Sequence, residues 1–271
     1  MTSVQTVAVR PGRHLDRPDQ IVTEEPMEIR AAGPREVPVA VAVTMRTPGS
    51  DFELAAGFLC TEGLVASGDI AAVDYCEAVE ADEQRFNVVT VHLRVPFVAP
   101  TGRRAFTINA SCGICGKASL DEIALRCAEV PAAPRVASSV VGALPARLRQ
   151  AQRLFERTGG LHAAGAFGAD GSPVSVREDV GRHNAVDKVI GHAALNGGLP
   201  VRAPVLAVSG RASFEIVQKA AMGGFAIIVA VSAPSSLAVE AAQRLGVALA
   251  GFVRDGSYNL YAHPERIDLD A

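Results

Sequence analysis

The sequence predicts an α/β protein in two units: a smaller α+β unit over residues 1–134 and a three-layer α/β unit over residues 135–271. Three observations lead there. Beyond residue 180, strand-like and helix-like runs alternate one for one, the pattern of a largely parallel sheet between helices. Upstream, a short helix falls among strands spaced for antiparallel pairing. Between the halves, Val130 to Val136 holds Pro131 and Pro134 and reads as the boundary.

Taken in order, residues 1–36 carry Pro11, Pro18, Pro26 and Pro34 among charges and read as an irregular arm, with one strand conceivable near Glu28 to Ala31. The apolar, β-branched run Val37 to Met45 is a strand. Ser50 with Glu53 three residues on suggests a capping box, and Phe52, Ala55, Ala56 and Leu59 share a stripe of a helix from about Asp51 to Leu64. Ile70 to Val79 and Phe86 to Leu93 are strands, paired as a hairpin across the polar Glu80 to Arg85. Pro100, Gly102, Arg103 and Arg104 then break the pattern ahead of a cysteine-bearing loop, and Ala118 to Ala128 is helical.

In the second unit, Pro145 suits the first turn of a helix whose face is marked by Leu148, Ala151 and Phe155 and which stops at Gly159-Gly160. Leu161 to Phe167 and Val174 to Arg177 are strands joined by the turn Ala169-Asp170-Gly171-Ser172. The alternation follows: helix Gly181 to Leu195, strand Val205 to Val208, helix Ala212 to Met222, strand Phe225 to Val231, helix Ser235 to Leu245, strand Val247 to Phe252.

Composition narrows the classes of function. With 49% hydrophobic and 20% charged residues and a net charge of -3, the chain is globular and has no field that would recruit nucleic acid or anionic lipid. Its apolar runs are far shorter than the roughly 20 residues that cross a bilayer. Met1 to Gln20 has no apolar core and is not expected to be a secretory signal. The five cysteines, Cys60, Cys76, Cys112, Cys115 and Cys127, are odd in number and scattered, which points to a reducing, cytoplasmic compartment with thiols free for chemistry.

The most pointed feature is Ser111-Cys112-Gly113-Ile114-Cys115-Gly116. A Cys-x-x-Cys pair suits a zinc knuckle, an iron–sulfur cluster, a dithiol redox site or a persulfide carrier. No second matching pair exists to complete a metal site, so no structural metal is expected. Gly113 and Gly116 leave the thiols little cover, and Lys117, Arg103 and Arg104 with the following helix start would favour a thiolate. Two incidental loop cysteines remain the bland alternative.

Three further groups stand out. In Arg177 to Lys188, His183 and Asp187 lie four apart and can pair, while Arg182 and Lys188 add donors at a helix start suited to an anion; an ordinary helix end capped by Asp179 explains the run equally well. The turns Ser209-Gly210-Arg211-Ala212-Ser213 and Ser232-Ala233-Pro234-Ser235-Ser236 place hydroxyl residues at helix starts, where caps are commoner than ligands. Phe252-Val253-Arg254-Asp255-Gly256-Ser257 follows the last parallel strand, where open α/β sheets gather ligands, although a charged surface loop would look the same. His162, on an apolar strand, reads as a satisfied core histidine.

The cysteine loop, the Asp179 to Lys188 block, Ser209 to Lys219, Ser232 to Glu240 and Glu53 to Gly63 together resemble the formate dehydrogenase accessory sulfurtransferases, the FdhD/NarQ family, from about residue 35 to 265. The resemblance implies a cytidine deaminase-like fold for the C-terminal unit. It implies a sulfur carrier that accepts persulfide sulfur from a cysteine desulfurase and passes it to the molybdenum cofactor, bis-molybdopterin guanine dinucleotide, before that cofactor enters formate dehydrogenase. Cys112 would carry the persulfide and Cys115 would assist transfer or resolution. Phe252, Val253, Arg254, Asp255, Gly256 and Ser257 would contact the cofactor, with Arg211 and His183 as weaker candidates, although Asp255 has the wrong charge for a phosphate. A homodimer is also implied.

Rival readings are a zinc deaminase, a dithiol oxidoreductase and a cofactor chaperone without sulfur chemistry. A deaminase needs a Glu close after its metal-binding His and a Pro-Cys-x-x-Cys pair later in the chain, but His162 is followed by Ala163-Ala164 and the cysteines come first. Thioredoxin-like motifs sit near a βαβ start, whereas here roughly 110 residues of other structure precede the pair.

Overall fold

The computed structural model describes residues 1–76, 86–99, 106–108, 127, 129–131 and 134–270. Two apolar runs without a polar alternation, β11 (Val205–Val208) and β12 (Ile227–Ala230), are buried at every position. Strands with no solvent face must be covered on both sides, and they form the middle of a six-stranded sheet of order β10-β9-β11-β12-β13-β14. Its other members are β9 (His162–Phe167), β10 (Pro173–Asp179), β13 (Ala248–Arg254) and β14 (Ser257–Ala262). Only the β11–β12 and β12–β13 pairings are parallel; β9, β10 and β14 each pair antiparallel with their neighbours, so the sheet is mixed rather than largely parallel.

Six helices accompany these strands among the described residues: α1 (Asp51–Thr61), α2 (Ser138–Ala151), α3 (Arg153–Thr158), α4 (Arg182–Asn196), α5 (Phe214–Gly223) and α6 (Ser236–Leu245). α4, α5 and α6 pack side by side, while α2 crosses β9 to β13 without joining that row. Pro145 lies inside α2, not in its first turn. The helix starts earlier because the short strand β8 (Val136–Ala137), paired with β15 (Ile267–Asp268), delivers the chain to Ser138. Gly159, at φ 68°, ends α3 as the Gly-Gly signal required.

The N-terminal half is a five-stranded sheet of order β5-β6-β3-β4-β7, comprising β3 (Glu25–Ala32), β4 (Val39–Arg46), β5 (Ile70–Tyr75), β6 (Val88–Leu93) and β7 (Phe106–Ile108). The expected hairpin pairing of β5 with β6 holds. The irregular arm does not: β1 (Thr2–Arg10) and β2 (Arg13–Ile21) form an exposed two-stranded hairpin, and β3 is the central strand of its sheet. β2 is solvent-exposed at every position and leaves no burial alternation in the sequence. The helix expected over Ala118 to Ala128 falls almost wholly outside the described residues. No described helix is long and apolar enough to cross a membrane.

Two hydrophobic clusters result, one running from Met27 to Leu93 and reaching Ala194, the other from Cys127 to Ile267. They meet where α1 crosses α4. A Cβ added at Gly57 would lie 1.8 Å from the Asp187 carbonyl oxygen, and one added at Gly191 would lie 1.8 Å from that of Glu53. No rotamer relieves a clash with backbone, so the helices must separate if either glycine gains a methyl group. Gly57→Ala should therefore destabilise the protein by about 3 kcal/mol or more in urea unfolding, although Ala in place of Gly in an open helix gains roughly 1 kcal/mol. Unchanged stability would show that the two helices are free to move apart.

Candidate functional site

The carboxyl ends of β11, β12 and β13 lie on one edge of the large sheet, together with the start of β9 and the end of β10. The turns leaving this edge are tied together. Ala212 bridges Pro234, and Ser235 N–H donates to the Ala212 carbonyl at 3.1 Å. Two of the hydroxyls singled out in the sequence are structural. Ser209 Oγ accepts from Ala163 N–H at 2.9 Å, and Ser235 Oγ caps α6 through Ala238 N–H at 3.2 Å.

Ser213 does something else. His183 Nε2 lies 3.3 Å from Ser213 Oγ, and the Ser213 hydroxyl is also hydrogen-bonded to the Glu215 carboxylate. With that hydroxyl donating to Glu215, His183 is left as the Nε2–H donor, and the three form a chain at the start of α5. Burial, followed by the positive charges of Arg182 and Lys219, pushes the His183 imidazole down to about 4. His183 is therefore a neutral donor at pH 7. Burial and Arg182 also hold His162 below its ordinary value, and a Cβ on Gly210 would lie 3.4 Å from His162 Nδ1 and 3.8 Å from Arg182 Cδ. Arg182 Nε is buried without a hydrogen-bond partner among the described residues.

The pairing expected between His183 and Asp187 is absent. Asp187 instead accepts from Thr61 Oγ1 at 2.7 Å and pairs with Lys219 Nζ at 3.0 Å, because its position on α4 faces α1 and α5. Lys188 is likewise no anion donor, being buried against Asp179 at 2.7 Å and the Thr47 carbonyl at 2.9 Å. Asp179 is more than a cap: it accepts from Gly181 N–H, Asn184 Nδ2, Thr47 N–H and Lys188 Nζ. The Ser50–Glu53 capping box is also absent. Ser50 has φ 56° and makes no cap bond, while Glu53 is claimed by Arg177 Nη2 at 2.6 Å and His192 Nδ1 at 2.9 Å.

The segment Phe252 to Ser257 is not a loose loop but the tip of the β13–β14 hairpin. Asp255 and Gly256, at φ 50° and 81°, make a two-residue turn between the paired Arg254 and Ser257. Just before it the register shifts, and Phe252 is held at φ 54° with its ring half exposed. A bulky side chain at positive φ is strained, and such outliers concentrate at functional sites. Val253 is fully buried, so only its backbone can meet a ligand. Arg254 and Asp255 are exposed and paired at 3.3 Å, and Arg211 is exposed at the neighbouring turn. A cavity of about 530 Å³ lies against the hairpin tip, between Arg254 to Gly256 and α2. Gly142 permits this approach, since a Cβ there would lie 2.9 Å from Gly256 Cα.

A second cavity, of about 660 Å³, opens between α2, α3 and the start of β9, with Gln152, His162 and Ser209 among its walls. His162 is thus half-buried and cavity-lining rather than a core histidine. Among the described residues no group of three or more His, Cys, Asp or Glu could hold a metal ion.

Cys112 and Cys115 lie outside the described residues, as do Arg103, Arg104 and Lys117. The other cysteines are described. Burial pushes the Cys60 thiol up to about 12, with Asp187 adding to it, and the Cys127 thiol up to about 11, so neither forms a nucleophilic thiolate at neutral pH. Cys76 is half-buried, 3.8 Å from Arg30 Nη1.

The model of the FdhD/NarQ family matches residues 22–268. The chain belongs to that family. It is 50% identical over 262 residues to a protein of Mycolicibacterium paratuberculosis named sulfur carrier protein FdhD, with 94% of each chain covered. Its identity to a protein of the same name from Streptomyces coelicolor is 48% over 277 residues, covering 98% of this chain and 95% of the other. The fold is shared with a crystal structure from Desulfotalea psychrophila described as a formate dehydrogenase accessory protein, at TM-score 0.75 and 24% identity, covering 98% of this chain and 99% of that one.

In this FdhD/NarQ chain the depressed His183 gives a pH dependence of definite sign. The unfolded imidazole takes up a proton as pH falls through about 6.5, whereas the folded one waits until about 4. The stability this residue contributes is complete above the upper value and is lost between the two, by about 3 kcal/mol in total. Urea unfolding at pH 7 and pH 4.5 should show the wild type losing more stability than His183→Gln by most of that amount. Equal losses would mean that the ring titrates normally.

Proposed function

We propose that the protein is a sulfur carrier in formate dehydrogenase maturation, taking persulfide sulfur from a cysteine desulfurase onto Cys112 and delivering it to bis-molybdopterin guanine dinucleotide. The relatives named sulfur carrier protein FdhD, about half identical over nearly the whole chain, support the carrier role. One register carries the reading further. Ile108 pairs with Thr44, and Thr44 Oγ1 donates to Asn184 Oδ1 at 3.3 Å, beside His183 at the ligand-gathering edge. Cys112 is four residues beyond Ile108 in the chain, a covalent reach of at most about 14 Å.

In this reading Cys112 thiolate attacks the outer sulfur of the donor's persulfide, forming the new S–S bond and releasing the donor's thiolate. Attack of Cys115 on Cys112 Sγ then expels the outer sulfur as hydrosulfide toward the cofactor, and the resulting disulfide is reopened by a cellular dithiol. The cofactor, here cargo, lies against the hairpin tip. Phe252 offers a ring face, Arg254 a cation for phosphate, and Ser257 a hydroxyl. Arg211 and the neutral His183 flank it, and affinity should fall as salt rises. The two separate cores are in keeping with a boundary near residue 134. The reading takes the C-terminal unit as cytidine deaminase-like and the protein as cytoplasmic and homodimeric.

Incubation with a cysteine desulfurase and cysteine, followed by peptide mass spectrometry, should add one sulfur atom to the Cys112 peptide and none to those of Cys60 or Cys127. Cys112→Ser should abolish both the adduct and formate dehydrogenase activity. Full maturation by the Cys112→Ser/Cys115→Ser double variant would instead make the protein a cofactor chaperone, and reduction of insulin disulfides a dithiol oxidoreductase.

A further inference from the structure

We propose that β1 is a docking edge for a second copy of this chain, the two β1 strands pairing antiparallel across a two-fold axis to give a four-stranded sheet of order β2-β1-β1-β2. The proposal rests on the homodimeric reading and names the surface that makes the pair.

The β1–β2 ribbon is short of partners. No residue of either strand is buried, and neither outer edge pairs with another described strand. A lone two-stranded hairpin is marginal in water, and three or more strands, or a packed face, are needed to hold one. β2 rests against α3, but Val7 and Val9 on β1 are 55% and 71% exposed.

The turn decides which backbone groups face out. Arg10 pairs with Arg13 across the two-residue turn Pro11-Gly12, so these two residues point their main-chain groups at each other. Alternation along an antiparallel pair then leaves the N–H and C=O groups of Ser3, Gln5, Val7 and Val9 on the outer edge of β1, and those of His14, Asp16, Pro18 and Gln20 on the outer edge of β2. The two edges differ in what they offer. On β2, Pro18 has no N–H, the Gln20 N–H is taken by Asp19 Oδ1 at 3.0 Å, and Arg13, Asp16, Arg17 and Asp19 surround them with charge. On β1, Thr2 to Val9 is uncharged, proline-free and rich in β-branched residues. One of its outward groups, the Val9 carbonyl, is met by the exposed Arg10 side chain at 3.2 Å. An edge of that kind is suited to strand addition.

The occupant follows from charge and register. A strand bearing acidic or basic residues finds no countercharge along Thr2 to Val9, so the edge fits a neutral strand, and β1 of a second copy is one. Turned about a two-fold axis at Thr6, the strand overlaps its copy along its whole length. Outward residues then meet outward residues, Ser3 with Val9 of the other copy and Gln5 with Val7 of the other copy, each pair exchanging both main-chain hydrogen bonds. Thr6 falls beside its own counterpart, a favourable cross-strand pair. Each end of the new sheet is a β2 edge, so the contact closes at two copies and does not propagate.

Sedimentation velocity of the full-length protein should give a dimer. Val7→Pro, which removes an outward N–H as Pro18 does on β2, should raise the dissociation constant about tenfold or more. Because β1 lies outside both hydrophobic clusters, circular dichroism should show the rest of the fold intact. Oxidation reads the register, in the Cys112→Ser/Cys115→Ser background. Thr6→Cys, with Cα atoms about 4.5 Å apart across the axis, should form an intermolecular disulfide. Ala8→Cys, about 14 Å from its own counterpart, should not. A monomeric wild type would overturn both the proposal and the homodimeric reading. A dimer that survives Val7→Pro, with Thr6→Cys left uncrosslinked, would overturn the proposal alone and put the homodimer on another surface. Equal cross-linking at positions 6 and 8 would also overturn it.

Discussion

Because Gly57 and Gly191 bring no side chains to the crossing of α1 and α4, the two backbones touch, and the distance between the N-terminal sheet and the six-stranded sheet is set by main chain. Side chains that would elsewhere be too short then reach across. Thr61 and Lys219 close on Asp187, and Thr47 reaches Asp179 and Lys188, all in the buried interior. Buried ion pairs add little net stability against an apolar alternative, but losing one partner leaves a charge stranded at a cost of about 3–5 kcal/mol. The hydrogen bonds that Thr47 and Thr61 make to these buried charges are the pins that admit one register between the halves.

That register also fixes the carboxyl edge of the large sheet. Asp179 gathers the end of β10, the first turn of α4 and the Thr47 backbone around one carboxylate, so the start of α4 is fixed relative to β4 and β7. The strand that leads toward the Cys-x-x-Cys segment therefore arrives beside the edge where the hairpin tip, Arg211 and His183 lie. If the cysteine segment and the cargo must meet, the meeting place is prepared by contacts that are themselves far from sulfur.

How much of this was legible depended on whether burial left a pattern. The strands and helices from Arg182 to Leu245 were readable because each has a continuous apolar run or stripe, and their ends fell within a residue or two of expectation. β2 was missed because a strand that faces water at every position carries no alternation. The cation–carboxylate pairings were misassigned for a different reason. Spacing on one helix suggested His183 with Asp187, whereas the partners Thr61 and Lys219 come from other helices and no single-helix argument contains them. The segment from Phe252 to Ser257 was read as a loop after the last parallel strand, whereas its two-residue turn, its bulge and the strained Phe252 arise from pairing with β14, which is a tertiary fact. His162 was read as a core histidine but is half-buried, since a half-buried imidazole at a cavity wall and a core imidazole look alike in a sequence.

The exposed arm β1–β2 has a consequence for crowding. A two-stranded ribbon with both outer edges open is a template on which further strands, from any neighbour, could stack without limit. Here Pro18 interrupts one edge, and Arg10, Arg13, Asp16, Arg17 and Asp19 crowd the ribbon with charges of both signs. Such gatekeepers tax fibril-like growth at high concentration while leaving the ribbon itself intact, which is how a protein keeps a bare edge in water without polymerising.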